Sequence, residues 1–369
     1  MNNMKVVFRA DASMQIGSGH VMRCLTLADA LKAEGAECHF ICREHPGHLL
    51  DLIRSKGFIG HSLDADGSSS LKDQIELQPA YAGWLGATQA QDSASCSEIL
   101  ARIAPDWLVV DHYALDVEWE SSLRKYFSRL LVIDDLANRR HECDLLVDQN
   151  LGHTTSDYAS LVNVSCDLLI GTQYALLRPE FAKFREISLS RRRVSQLQHI
   201  LITMGGVDPF NATGTTLDAL KSCSLPHDCS ISVIMGLKAP FLADVVGLAG
   251  QMPWPTEVFS NVADMGERMA AADLVIGAAG STSWERCCLG VPTIMVVLAD
   301  NQVSGACALS QSGSAKLIKD AGEIPGQLPS ALQSLSFDGA LKKMSDSASQ
   351  IVDGLGVQRV VRKMSVNNE

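Results

Sequence analysis

Apolar residues in this chain fall into short runs that end at glycine or at acidic residues, and between the runs apolar positions recur every three to four residues. Short bounded runs predict buried strands, and the 3.6-residue spacing predicts helices. The first run, residues 5–10, passes through the bend Gly17-Ser18-Gly19-His20 into the helical pattern Cys24-Leu25-Thr26-Leu27-Ala28-Asp29-Ala30-Leu31. A strand over 36–42, a short helix from about Pro46 and a strand over 58–62 follow. Residues 64–97, rich in Asp, Ser, Gly, Gln and Ala, read as an excursion around a short helix, with Tyr81 and Trp84 as its packing anchors.

Three further strands each run into polar residues: 107–110 into Asp111-His112-Tyr113, 130–133 into Asp134-Asp135, and 144–147 into Asp148-Gln149-Asn150. A second series starts with 199–204, which ends in Gly205-Gly206-Val207-Asp208. It continues through strands at 231–235, 257–260, 273–277 and 292–298; the last two lead to Gly280-Ser281-Thr282-Ser283 and to Asp300-Asn301-Gln302. Strand and helix alternate almost throughout, so parallel sheets covered on both faces are expected. The organisation expected is a first domain over 1–187, a linker over 188–197, a second domain over 198–340 and a helical tail over 341–369 that could pack back on the first domain. The three arginines Arg191, Arg192 and Arg193 in the linker read as a solvated charge run.

Composition narrows the function classes. The 369 residues carry a formal net charge of −11, which argues against broad attraction to nucleic acid or anionic lipid. No apolar run approaches the ~18 residues of a membrane span. The start of the chain reads as a first strand rather than a signal peptide, and a cytoplasmic protein is expected. The 11 cysteines, an odd number placed mostly in apolar segments, fit reduced core thiols. No protein partner can be read from the sequence.

Glycines at the carboxyl end of a strand let a ligand approach the backbone, and ligands of open α/β sheets bind in that crevice. The bend 17–23 therefore places His20 as a candidate catalytic base, with a tight turn and a capping histidine as the alternative. Gly280-Ser281-Thr282-Ser283 offers backbone N–H groups and hydroxyls to a phosphate, or else a simple helix cap. Glu285, on the same helix face, could accept both ribose hydroxyls or complete a capping box. His45-Pro46-Gly47-His48 is a histidine pair with no acidic residue at useful spacing. No Asp-x-Asp pair stands at an obvious strand end, so no metal and no other cofactor is expected.

These residues carry a resemblance. The stretch from Gly280 to Gln302, with Glu285 and Gly290-Val291-Pro292, resembles the nucleotide-binding half of GT-B glycosyltransferases, especially the inverting N-acetylglucosaminyltransferases of peptidoglycan synthesis. Phe8-Arg9-Ala10-Asp11-Ala12-Ser13, Ile16 to Leu25, Asp111-His112-Tyr113, Tyr174-Ala175-Leu176-Leu177-Arg178 and Met204 to Asp208 together resemble the UDP-sugar hydrolases of pseudaminic acid biosynthesis. Those enzymes cleave UDP-2,4-diacetamido-2,4,6-trideoxy-β-L-altropyranose to UDP and the free sugar.

The resemblance implies a GT-B-like α/β fold, with two Rossmann-like domains whose parallel sheets face each other across a cleft, and a UDP-linked diacetamido trideoxy sugar as substrate. It implies that His20 deprotonates the attacking water, and that Gly17, Gly19 and Arg23 shape the loop around the substrate. Asp11 would orient the ring or bind sugar, and Asp111, His112 and Tyr113 would line the water and sugar side. Arg178 and Asn301 would contact substrate, Glu285 the ribose, Ser281 and Thr282 the diphosphate, and Gly206 the nucleotide by close backbone approach. Two other readings stay open: an inverting GT-B glycosyltransferase, and a UDP-sugar-binding protein without catalysis.

Overall fold

The computed structural model describes residues 4–64, 81–194 and 196–366. Among these, the strands of the first half pair into one seven-stranded sheet and those of the second half into a six-stranded sheet. The first sheet contains β1 (Lys5–Ala10), β2 (Glu37–Arg43), β3 (Ile59–Leu63), β4 (Trp107–Asp111), β5 (Arg129–Ile133), β6 (Leu145–Asp148) and β7 (Asp167–Ile170), in the order β3-β2-β1-β4-β5-β6-β7. Every pairing in it is parallel. The order reverses between β1 and β4, where the register sets Ala10 beside Asp111. Such a reversal is where a doubly wound sheet opens a ligand crevice.

Its strands are apolar on both faces because helices cover both. Val6, Phe8 and Phe40 join Leu25 and Leu31 of α1 (Gly19–Ala33) and Ile53 of α2 (Leu50–Ser55) in one core. Val7, Ile41 and Leu108 point to the other side, where they meet Leu100 of α3 (Gln89–Ile103) and Trp119 of α4 (Val117–Leu123).

The second half is wound in the same way. Its strands are β8 (His199–Thr203), β9 (Ser230–Met235), β10 (Thr256–Ser260), β11 (Leu274–Ala278), β12 (Thr293–Val296) and β13 (Lys316–Ile318), in the order β10-β9-β8-β11-β12-β13. These pairings too are parallel, and the reversal falls between β8 and β11. Nine helices of the described residues follow in sequence: α5 (Pro179–Arg191), α6 (Ala212–Leu220), α7 (Leu242–Ala249), α8 (Met265–Ala271), α9 (Thr282–Cys288), α10 (Val303–Gln311), α11 (Ile324–Leu335), α12 (Ala340–Ser349) and α13 (Gly356–Val366). Ile200, Ile202, Val233 and Ile276 pack with Leu217 of α6, Leu328 of α11 and Met344 of α12.

The chain divides into a first unit of Met1–Leu176 with Gly356–Glu369 and a second unit of Leu177–Leu355. Several boundaries differ from the sequence reading. Part of the segment taken as a linker is helix, because α5 begins at Pro179 and runs to Arg191. Ser188 is buried, its hydroxyl donating to the Leu289 carbonyl at 2.6 Å. Arg192 is buried rather than solvated, donating to the carbonyls of Ser188, Met269, Ala270 and Ala272. Low apolar content hid this segment because its inward groups are polar side chains satisfied by backbone.

The tail is two helices: α12 belongs to the second unit, whereas α13 adds Val357, Val360, Val361 and Met364 to the core of the first. Strands β7 and β13, of four and three residues, went unread. Of the 64–97 excursion, residues 65–80 lie outside the described residues; the rest includes α3, opened by a reciprocal Thr88–Gln91 capping box.

Candidate functional site

The loop after β1 is built by its own backbone. The Ser13 hydroxyl accepts the N–H groups of Gln15 and Ile16, and the Gly17 N–H donates back to the Ser13 carbonyl at 2.9 Å. Gly17 sits at φ +79°, a left-handed conformation that favours glycine. Gly19 then opens α1, and His20 lies in its first turn, where Ser18 supplies no side-chain cap and no acidic residue is present. The ring is 7 % exposed. Its Nδ1 lies 3.8 Å from Asp111 Oδ1 without a hydrogen bond. Burial pushes this imidazole below its ordinary basicity; the Asp111 charge opposes the shift and Arg23 adds to it. The result is a neutral, buried base.

One turn further along α1, Arg23 holds Asp111 through two 2.6 Å bonds and reaches Asp135 at 2.7 Å. Arg23 is thus buried and gives its Nε, Nη1 and Nη2 to two carboxylates. Asp111 is likewise fully buried as the partner of Arg23 rather than presented to a ligand. Tyr113 donates its hydroxyl to Asp135 at 2.7 Å and packs its ring edge-on to His20 at 4.6 Å. Burial and the neighbouring Asp135 hold the phenol protonated. Trp84 stacks on Tyr113 and lies 6.3 Å from His20, and Tyr81 meets both Trp84 and Tyr113. Sequence reasoning had taken this aromatic pair as loop anchors and missed Asp135 as the common acceptor.

Asp11 is placed away from the role expected of it. It is fully buried, paired with Arg9 at 2.7 Å, and accepts the Arg43 N–H at 2.7 Å. Its other oxygen faces His112 Nε2 at 3.3 Å and His45 Nε2 at 3.8 Å, so His45 has an acidic neighbour after all, brought from another strand. His112, also buried, accepts the Ala114 N–H on Nδ1. Behind them Asp92 of α3 gathers Arg9, Arg43 and the Trp119 indole N–H. Asp11 and His112 thus belong to the floor beneath the crevice. The third polar strand end is tied inward as well: Gln149 accepts the Leu176 N–H, and Asn150 reaches Asp135. Among the described residues, no cluster of three or more His, Cys, Asp or Glu is arranged to hold a metal ion.

In the second unit, the carboxyl ends of β8 and β11 carry the glycine loops. Gly205 lies at φ +91°. The close approach at Gly206 is made by Gly236, where a Cβ would collide with the Gly206 carbonyl, whereas the Cα of Gly206 itself opens on free space. Asp208 caps α6 by accepting the N–H groups of Ala212 and Thr213 at 2.9 Å. Ser281 is exposed and makes no side-chain cap, so no capping box forms and Glu285 is left for other work. Glu285 pairs with Arg178 at 3.4 Å, and Arg178 also meets Glu180 at 3.1 Å. Burial raises the Glu285 carboxyl above the usual range, against the pull of Arg178, and its Oε2 has no hydrogen-bond partner. Thr282 accepts from Arg286. Asn301 is half-buried in the turn Asp300–Gln302, and its neighbour Gln302 is the residue beside Gly280.

Residues 223–357 match the model of the glycosyltransferase family 28 C-terminal domain. The chain is 26 % identical over 313 residues to the UDP-2,4-diacetamido-2,4,6-trideoxy-β-L-altropyranose hydrolase of Campylobacter jejuni, covering 84 % of this chain and 97 % of that protein. It is 24 % identical over 308 residues to the uncharacterised protein MJ1062 of Methanocaldococcus jannaschii, covering 82 % of this chain but spanning only 57 % of that protein. The crystal structure of Acinetobacter baumannii MurG superposes with a TM-score of 0.71 at 18 % identity, over 98 % of this chain and 99 % of that one. No helix among the described residues is long and apolar enough to cross a membrane. Two doubly wound parallel sheets with these neighbours make the fold that of the GT-B glycosyltransferases.

Proposed function

We propose that the protein is an enzyme acting on a UDP-sugar, and specifically a hydrolase that releases the sugar from UDP. The observation that carries this reading is the neutral, buried His20 in the first turn of α1, set beside a carboxylate and walled by aromatic rings. It is supported by likeness to the Campylobacter hydrolase over most of the chain. In this reading a water oxygen attacks the anomeric carbon while His20 Nε2 takes the water's proton. The bond from that carbon to the diphosphate oxygen breaks, and its electron pair leaves with UDP. General-base help of this kind contributes about 10²- to 10⁴-fold. Tyr113, Trp84 and Tyr81 restrict bulk water near the base, and Asp111 favours the tautomer with hydrogen on Nδ1.

The second unit takes the nucleotide in this reading. Ser281, Thr282 and the loop N–H groups bind the diphosphate, Glu285 accepts from the ribose hydroxyls, and Arg178, Gly206 and Asn301 border the same ligand. The sugar in this reading is a 2,4-diacetamido-2,4,6-trideoxy sugar, as for the Campylobacter hydrolase. A glycosyltransferase is the second reading, favoured by the family 28 match and the MurG likeness. Incubation of the protein with the UDP-sugar in ¹⁸O-labelled water, without acceptor, separates them. Label in the free sugar is expected. Label in UDP would mean attack at phosphorus and would overturn the mechanism, and UDP release only on addition of an acceptor would establish the transferase.

A further inference from the structure

Arg286, like Arg192 and unlike Arg9 and Arg23, is a buried arginine whose bonds go to uncharged acceptors; unlike Arg192, it sits beside the glycine loop that follows β11. It is 1 % exposed, yet among the described residues it forms no ion pair with Asp or Glu. Its Nη2 donates to the Ala278 carbonyl and to the Ser283 hydroxyl, both at 2.8 Å, and its Nη1 donates to Thr282 Oγ1 at 3.2 Å. Its Nε is buried without a partner. The acid nearest it in effect, Glu285, is itself engaged by Arg178. The space for the guanidinium is built in: a Cβ at Gly277 would lie 2.8 Å from both Arg286 Nη1 and the Thr203 carbonyl. Arg9 and Arg23, by contrast, each meet two carboxylates.

A buried charge without a counter-charge is costly, and native proteins pair such groups or let them serve a ligand. All three acceptors of Arg286 lie within residues 278–283, the loop at the reversal point of the second sheet. We propose that Arg286 is a positioning residue for a diphosphate: its buried guanidinium fixes the 278–283 loop and supplies the positive charge that the ligand's anionic oxygens complete. The ligand class, a diphosphate carried on a nucleoside, rests on the reading of a UDP-sugar given above. The charge argument by itself requires only a multivalent phosphate. Burial lowers the pKa of Arg286 to about 10, and a bound anion would raise it again.

Calorimetric titration of the wild type, Arg286→Met and Arg286→Lys with inorganic pyrophosphate, UDP and uridine tests this. A charge-assisted interaction predicts that Arg286→Met weakens pyrophosphate and UDP by about 10- to 100-fold, with uridine within about twofold. Arg286→Lys, which keeps the charge and loses the planar fork, falls between. If Arg286→Met does not fold, the lysine variant decides by the same split between pyrophosphate and uridine. Unchanged pyrophosphate affinity in a folded variant, equal loss of uridine, or a wild type that does not bind pyrophosphate would each overturn the proposal. A wild type that binds pyrophosphate through Arg286 but neither UDP nor uridine would remove the nucleotide reading and leave this one standing.

Discussion

The two sheets are wound alike, yet the chemistry at their reversal points is opposite. At β1/β4 the polar groups are paired charges, with four carboxylates to three guanidinium groups: Arg9 and Arg43 with Asp11 and Asp92, and Arg23 with Asp111 and Asp135. At β8/β11 the polar groups are glycine backbone, hydroxyls, Asp208 tied to the start of α6, Glu285 paired with Arg178, and Arg286 without a carboxylate partner. The first arrangement carries no excess positive charge to attract a phosphate, and it sets a neutral imidazole beside Asp111. In the reading proposed above, the second offers open backbone, hydroxyls and the Arg286 guanidinium to an anion. One topology therefore supports two tasks through the choice of strand-end residues.

The sharpest way to break this contrast is at His20. His20→Asn is expected to lower turnover of the UDP-sugar about 10³-fold while UDP affinity changes less than about twofold. If turnover persists, the first crevice is not where the base resides. Next in size is the stability of the charge network. Arg23→Met strands two carboxylates and is expected to cost about 3–5 kcal/mol in urea unfolding of the first unit. Asn211→Ala, which removes the side-chain cap of α6 in the second unit, should cost about 1–2 kcal/mol. Equal losses would show that the two strand ends are not built on different principles.

The smallest effect is a shift in pH. His20 acts as a base only when neutral, and its folded-state pKa lies below the ordinary 6.5. The acid limb of kcat/KM should therefore fall below pH 6.5, with activity on the plateau above it and lost as pH drops through the depressed value. Replacing Asp111 by Asn removes the opposing charge and should move that limb lower still. A limb above 6.5 would mean that the Asp111 charge outweighs burial.

Much of this architecture was legible in the chain. Residues 5–10 and 107–111 are apolar runs ending at polar residues, and both proved to be central strands. His20 and Glu285 could be picked out because glycines and hydroxyls mark a loop before they mark its ligand. What sequence could not give was pairing across distance. Asp11 looked like a ligand for His20, but strand register delivers Asp111 instead and leaves Asp11 to Arg9 and the two histidines His45 and His112. Arg192 looked like surface charge because a one-dimensional pattern does not show which carbonyls will surround a guanidinium. Trp84 meets His20, and Tyr81 meets Tyr113, across a sequence separation that no local pattern spans.

The placement of α13 has a consequence for synthesis. The second unit is one uninterrupted stretch, Leu177–Leu355, whereas the first unit takes Val357, Val360, Val361 and Met364 into its core from the far end of the chain. Domains form during translation as their residues emerge. The segment translated later can therefore complete its fold while the segment translated earlier still waits, its hydrophobic face on α1 uncovered, for α13 to clear the ribosome.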